Sequence, residues 1–297
     1  MQLQAPAELT TGRLHRLGEG IGKVVYASEH WVVKRERHPS EILALIVTWK
    51  VLRRLERLLP GRMTDRPAHQ IRFLRVFVQA IVRVVPRGLW LMTHAGEVWT
   101  TYRARDQQGE FLTHEFLAGT PLVPRTIRFP PTRVEVYGWP GYLNVGEATE
   151  RMEATLHYRL HQLAAAGQFD ELELWLNRWL ALRQSGWQRG VFSLDTHLKN
   201  FGVNGDRVVL LDPGGLTRDW SAIAQRLTYE GSVASPHRQL GLGPLLQDRP
   251  DIARRFDAHW KATVNPATVL HHWPAIRGRS TQLPIVQPAP PAPAVRT

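Results

Sequence analysis

Residues 192–215, FSLDTHLKNFGVNGDRVVLLDPGG, decide the reading of this chain. Asp195 precedes Asn200 by five residues, and Asn200 precedes Asp212 by twelve. The stretch reads as a short loop, a hairpin, a buried apolar run and a second Asp followed by Pro-Gly-Gly. Val208, Val209, Leu210 and Leu211 bring Asp212 out of a buried strand into a glycine turn, which presents its carboxylate at a rigid edge. Asn200 suits a metal-ligand role because it adds an oxygen without adding a charge. Taken singly, each piece also fits an ordinary turn. Taken together, the spacing is that of a metal-assisted phosphoryl-transfer site. One carboxylate receives the acceptor's proton, and an amide and a second carboxylate hold Mg²⁺ against phosphates.

Asp195-Thr-His-Leu-Lys-Asn200 resembles the catalytic loop of the protein-kinase-like superfamily. The Asp-x-His-x-x-Asn form, with His197, is most similar to bacterial lipopolysaccharide-core (heptose and Kdo) sugar kinases and aminoglycoside-type small-molecule kinases. Asp212-Pro-Gly-Gly stands where protein kinases carry Asp-Phe-Gly. Ser193-Leu194 replaces the His-Arg that precedes the catalytic Asp in that family, and Pro213 replaces the Phe. The resemblance implies Asp195 as catalytic base, Asn200 and Asp212 as Mg²⁺ ligands and ATP as donor, with His197 orienting the base or meeting the acceptor. It also implies an α+β, two-lobed kinase-like fold, with a five-stranded antiparallel N-lobe carrying a basic helical insertion and a mainly helical C-lobe. The boundaries on this reading are a flexible segment 1–12, an N-lobe over 13–117, a C-lobe over 118–281 and a Pro/Ala-rich disordered tail over 282–297.

In the N-terminal part, Arg13 to Lys34 reads as two or three strands around a glycine-rich turn. Gly18, Gly20 and Gly22 would let backbone N–H groups approach phosphates with no Cβ in the way. Their G-x-G-x-G spacing is one residue tighter than the kinase G-x-G-x-x-G, and a plain hairpin turn explains it as well. Lys34, closing a Val-Val-Lys strand, is the candidate phosphate-binding lysine. A helix is expected to open at Pro39 and Ser40, with Ser40 as N-cap, and to run to about Leu59. Glu41 and Glu56 are the two candidates to pair with Lys34. Leu89–Met92, Val98–Arg105 and Glu110–Phe116 alternate as strands would and would complete the small lobe. The line FLTHEFLAGTPL resembles a kinase hinge, which implies that Glu115 to Leu117 offer backbone groups to adenine, with His114 lining the pocket. Pro121 to Gly146 reads as an irregular connector or lid, and 147–166 and 169–187 as helices. His157 and His161, at i and i+4, read as a surface pair. Helices are also expected over 216–230, where Asp219 caps the helix or else braces the catalytic loop from below, and over 251–261.

The 297 residues suffice for one two-lobed domain or two small ones, and 43% of them are hydrophobic. The absence of cysteine rules out disulfides and thiolate metal sites. No signal peptide is read at the N-terminus, and no uncharged apolar run reaches about 18 residues, so a cytoplasmic, peripheral protein is expected. The formal charge of +12 calls for an anionic partner. Ten Lys/Arg against Glu56 and Asp65 place +8 of that excess between Lys50 and Arg87. This basic, partly apolar segment suits docking on an anionic membrane surface or glycolipid. Nucleic acid is a weaker option, since no recognised binding motif accompanies the charge. The expected activity is phosphorylation of a sugar hydroxyl on a lipopolysaccharide-type or other anionic glycolipid. A protein or small-molecule kinase and a nucleotide-binding pseudokinase scaffold are the alternatives.

Overall fold

A computed structural model describes residues 4–19, 22–42, 44–45, 88–138 and 140–274. Gly20, Glu56, the basic segment 50–87 and the 282–297 tail lie outside the described residues. The fold is α+β, with two separate apolar clusters.

The smaller cluster fills a five-stranded barrel. Strands β1 (Arg13–Glu19), β2 (Lys23–Ala27) and β3 (Trp31–Glu36) are joined to β4 (Thr126–Val136) and β5 (Tyr142–Glu150) in the order β1-β2-β3-β5-β4. All neighbours are antiparallel except β1 and β4, which close the barrel in parallel through Arg13↔Glu135 and Leu14↔Val136. Strand alternation points Val24, Tyr26, Phe129, Val134, Val136, Leu143 and Val145 inward. Residues Ala7–Thr10 form one helical turn, α1, and Leu9 is fully buried against this core. The segment 1–12 read as loose therefore contributes a core side chain.

The fourth and fifth strands are not those expected. Leu89–Met92, Val98–Arg105 and Glu110–Phe116 belong to helix α2 (Gly88–Leu112), extended by a π-helical turn, Thr113–Leu117. Its second half, RARDQQGEFL, is rich in good helix formers, which outweigh the strand-like alternation. Strands β4 and β5 occupy the region read as a connector. Pro130 and Pro131 hid β4, but they fall where the β4–β5 register shifts, between Arg128 and Thr132, so neither interrupts a ladder bond. The expected 147–166 helix is divided accordingly. Residues 147–150 end β5, and only Leu156–Ala165 forms a helix, α3, capped by Thr155 Oγ1 accepting from Tyr158 N. Near the first expected helix, residues 39–42 and 44–45 are helical. The turn starts at Pro39, with His38 O accepting from Glu41 N and Ile42 N, so Ser40 is not its cap.

The larger cluster centres on α4 (Phe169–Gln188), where Leu172, Trp175, Leu176, Trp179, Leu180, Arg183 and Trp187 are buried at three- and four-residue steps. Trp179 stacks on Trp260 at 5.6 Å and meets Phe201 edge-on at 5.6 Å. Each such aromatic contributes roughly 1.5–3 kcal/mol by burial. Around α4 pack α5 (Trp220–Ser232), the short α6 (Pro236–Gln239), α7 (Pro250–Thr263) and α8 (Pro266–His272). The Asp219 carboxylate caps α5 by accepting from Ser221 N at 3.0 Å, as expected. Strand β6 (Ala154–Thr155) pairs with the hairpin of β8 (Phe201–Asn204) and β9 (Arg207–Leu210).

Candidate active site

The β8–β9 hairpin brings Asn200 and Asp212 together. Asn204 pairs with Arg207 across a two-residue turn, and Gly205 supplies the positive φ of 59° at its first position. At the other end Phe201 pairs with Leu210, so Asn200 and Leu211-Asp212 emerge side by side. The Asn200 carbonyl accepts from Leu211 N at 2.8 Å and from Asp212 N at 3.4 Å. The exposed Asp212 carboxylate accepts from Gly214 N at 3.0 Å and caps the short 3-10 turn Pro213–Gly215.

Asp195 is held to the same turn from the other side. Strand β7 (Phe192–Ser193) pairs with β10 (Leu216–Thr217), and Leu194 N donates to Gly215 O at 2.8 Å. A Cβ on Gly215 would lie 2.8 Å from Asp195 Cβ, so the close approach needs glycine. The Asp195 loop is closed by His197 N donating to Asp195 Oδ1 at 3.0 Å and by Ser193 Oγ donating to Asp195 O at 2.8 Å. Asp195, Asn200 and Asp212 thus share one edge. His197 is exposed there and braces the loop through its backbone.

Lys34 reaches this edge from the barrel. It sits on β3 opposite Val25, and its Nζ donates to Leu211 O at 3.0 Å. The side chain borders solvent, yet enough protein surrounds it that burial lowers its pKa. Lys23 repels it as well, and Asp212, Glu110 and Glu147 oppose the shift.

Glu41 does not pair with Lys34. It binds Arg35 Nη1 at 3.0 Å and accepts from His38 N at 3.2 Å. The acids that approach the lysines come instead from α2. Asp106 and Glu110 lie one turn apart and hold Lys23 Nζ at 3.2 and 2.8 Å. Burial works against the Lys23 ammonium, but the Glu110 hydrogen bond and the Asp106 charge outweigh it and raise its pKa. The i, i+4 spacing of Asp106 and Glu110 was the available signal, and it becomes visible only once 88–112 is read as helical. Gly18 lies where the β1–β2 register shifts, and a Cβ on Gly22 would lie 3.7 Å from Asp106 Oδ2. Gly22 therefore lies beside the same acids.

Glu115, Leu117 and His114 do not form an extended hinge. All three lie in the π-helical end of α2. The passage from the barrel to the helical part is Arg151–Glu153, between β5 and β6. Arg151 N donates to His30 O at 2.8 Å and Glu153 N to Val203 O at 3.1 Å. Between them, Met152 packs over Gly202, where a Cβ would come within 2.6 Å of Met152 Cγ and 2.9 Å of Leu211 Cδ2. Met152 and Leu211 thus pack together over Gly202, two residues after Asn200.

His157 and His161 remain a pair, with ring centroids 4.4 Å apart. Burial lowers the His157 pKa, and His161 and Lys199 add to the effect. Among the described residues no group of three or more His, Asp or Glu side chains could hold a metal ion. That does not disfavour Mg²⁺, which commonly takes one or two carboxylates and completes its octahedron with phosphate oxygens and water. Asn200 and Asp212, neighbours through their backbones, carry an amide and a carboxylate, hard oxygen donors of the kind it takes. No protein-family model and no curated protein sequence matches this chain.

Proposed function

We propose that this chain is an ATP- and Mg²⁺-dependent phosphotransferase of kinase-like fold, with a hydroxyl of an anionic sugar or glycolipid as acceptor. The observation that carries the reading is the 3.0 Å bond from Lys34 Nζ to Leu211 O, next to Asp212. A third-strand lysine, a carboxylate-bearing helix before the fourth strand, and an Asp/Asn/Asp edge are the parts this chemistry uses.

In this reading Lys34 binds the α- and β-phosphates, and the glycine turn covers them with backbone N–H groups. Mg²⁺, held by Asn200 and Asp212, would supply neutralisation of the phosphate charge. Asp195 receives the acceptor's hydroxyl proton on its carboxylate. Arg151–Glu153, rather than Glu115–Leu117, supplies backbone groups to adenine, and Met152 covers the base. The excess positive charge favours an anionic acceptor and a peripheral location at an anionic membrane face. Among the described residues no helix is long and apolar enough to cross a membrane.

A second reading, a nucleotide-binding scaffold without turnover, is favoured by one feature. The α2 carboxylates Asp106 and Glu110 are occupied by Lys23. Melting curves with ATP and Mg²⁺ test both readings. Saturation at a hundredfold above Kd stabilises a protein by about 2.7 kcal/mol, which raises Tm by several degrees. The metal-dependent part should vanish in Asp212→Ala. ATP consumption that disappears in Asp195→Asn marks the enzyme, binding without it marks the scaffold, and no nucleotide effect at all overturns both.

A further inference from the structure

Thr196 stands between the proposed base Asp195 and His197, and it faces the other way. Thr196 and Leu198 are buried, while Asp195 is half-buried and His197 and Lys199 are exposed. Leu198 enters the apolar core. Thr196 enters a chain of charged groups. Its Oγ1 accepts from Arg226 Nη2 at 3.0 Å, and Arg226 Nε donates to Glu230 Oε1 at 2.7 Å. The other oxygen, Glu230 Oε2, accepts from Arg183 Nη2 at 3.4 Å. The Arg183 and Glu230 side chains are only 2% and 1% exposed. Arg183 is fixed in turn among the rings of Trp179, Trp187, Phe192 and Trp260, 4.8–5.7 Å from their centroids.

We propose that Arg226 is a positioning residue: with the buried pair Glu230 and Arg183 it forms a relay that anchors Thr196 to the aromatic core and so fixes the direction of the Asp195 carboxylate. This rests on the phosphotransfer reading for the role of Asp195, but not for the anchor itself. The charge pattern explains why the relay is rigid. A buried carboxylate needs a partner on each oxygen, and an arginine on each side supplies one. Arg226 cannot turn away from Thr196 without disturbing the Glu230 pair. Asp219, capping α5, leaves this bracing to the same helix two turns further on.

Three variants test the relay: Thr196→Val, which removes the acceptor but keeps the shape, Thr196→Ser, which keeps the acceptor, and Arg226→Met. Two quantities are read, the hydrogen exchange of amides 194–200 and the steady-state ATP-dependent turnover. Exchange should accelerate about tenfold in Thr196→Val and Arg226→Met, as the loss of one charge-assisted hydrogen bond allows, and α7 amides should be unchanged. Thr196→Ser should behave as wild type. In the same proteins kcat should fall about tenfold in Thr196→Val with KM for ATP constant, because a misdirected base affects the transfer step and not nucleotide binding. Wild-type exchange in Thr196→Val overturns the anchor, even if Arg226→Met fails to fold. Loosened exchange with unchanged kcat overturns the positioning role. If wild-type protein consumes no ATP, the phosphotransfer reading and the positioning role fall together, and exchange alone decides the anchor.

Discussion

Lys34 carries a charge that burial and Lys23 oppose, so its pKa lies below the ordinary lysine value of 10.5. A bound polyphosphate favours the ammonium form, so nucleotide binding and protonation are linked. As pH climbs through the lowered pKa of the free protein, the lysine becomes neutral and affinity falls. Arginine stays charged over the whole range. ATP titrations between about pH 7 and 10 should show declining affinity for wild type and a flat profile for Lys34→Arg, even if the variant binds more weakly throughout. Parallel profiles would remove Lys34 from the phosphates. At this scale the sequence was readable where the information is local. Asp195, Asn200 and Asp212 follow from a loop, a hairpin and a strand end. The contacts of Glu110 and Thr196 were not readable, because their partners lie 87 and 30 residues away.

Helix α2 meets the Pro213–Gly215 turn at Gly109, and this contact reverses a usual rule. Gly→Ala inside a helix ordinarily stabilises by roughly 0.5–1 kcal/mol. A methyl on Gly109 would overlap the Pro213 carbonyl group and lie 3.1 Å from Gly214 N. Both neighbours are backbone, so α2 itself must move, and such overpacking costs about 1–3 kcal/mol. Urea denaturation of Gly109→Ala should therefore show a net loss of about 1–2 kcal/mol. Mg²⁺-dependent nucleotide binding should weaken too, because Asp212 caps the displaced turn. A stabilised variant would mean that α2 and the turn do not touch. Gly109 also helps to explain why α2 was read as strands. The residue that weakens the helical pattern is kept for a tertiary contact that the local sequence does not display. Strand β4 was missed for a related reason, since Pro130-Pro131 break a ladder only if they face one. Helix α4 was legible because its Leu/Trp spacing encodes one buried face, and nearly the same bounds follow from the pattern alone.

Over the whole molecule, charge is distributed unevenly. The formal excess is +12, and +8 of it falls between Lys50 and Arg87. Among the described residues, by contrast, Lys23 is matched by Asp106 and Glu110 and Arg35 by Glu41, while Lys34 binds the Leu211 carbonyl. The unbalanced charge lies in a stretch of sequence that contains none of the residues proposed to carry the transfer chemistry, and under the proposed function it serves an anionic surface. An anionic bilayer attracts each Lys or Arg near its surface by about 1 kcal/mol, so replacing Arg53, Arg54 and Arg57 by Gln should weaken partitioning on the order of a hundredfold. Vesicle sedimentation should show binding to membranes with anionic lipid, little to neutral ones, and release as salt shortens the Debye length. The triple variant should keep wild-type ATP affinity, since it changes none of the residues proposed to bind nucleotide. Equal partitioning onto neutral and anionic vesicles would remove the membrane as partner. The charge would then have to serve a soluble anionic acceptor, and ATP-dependent turnover would have to survive without any lipid surface.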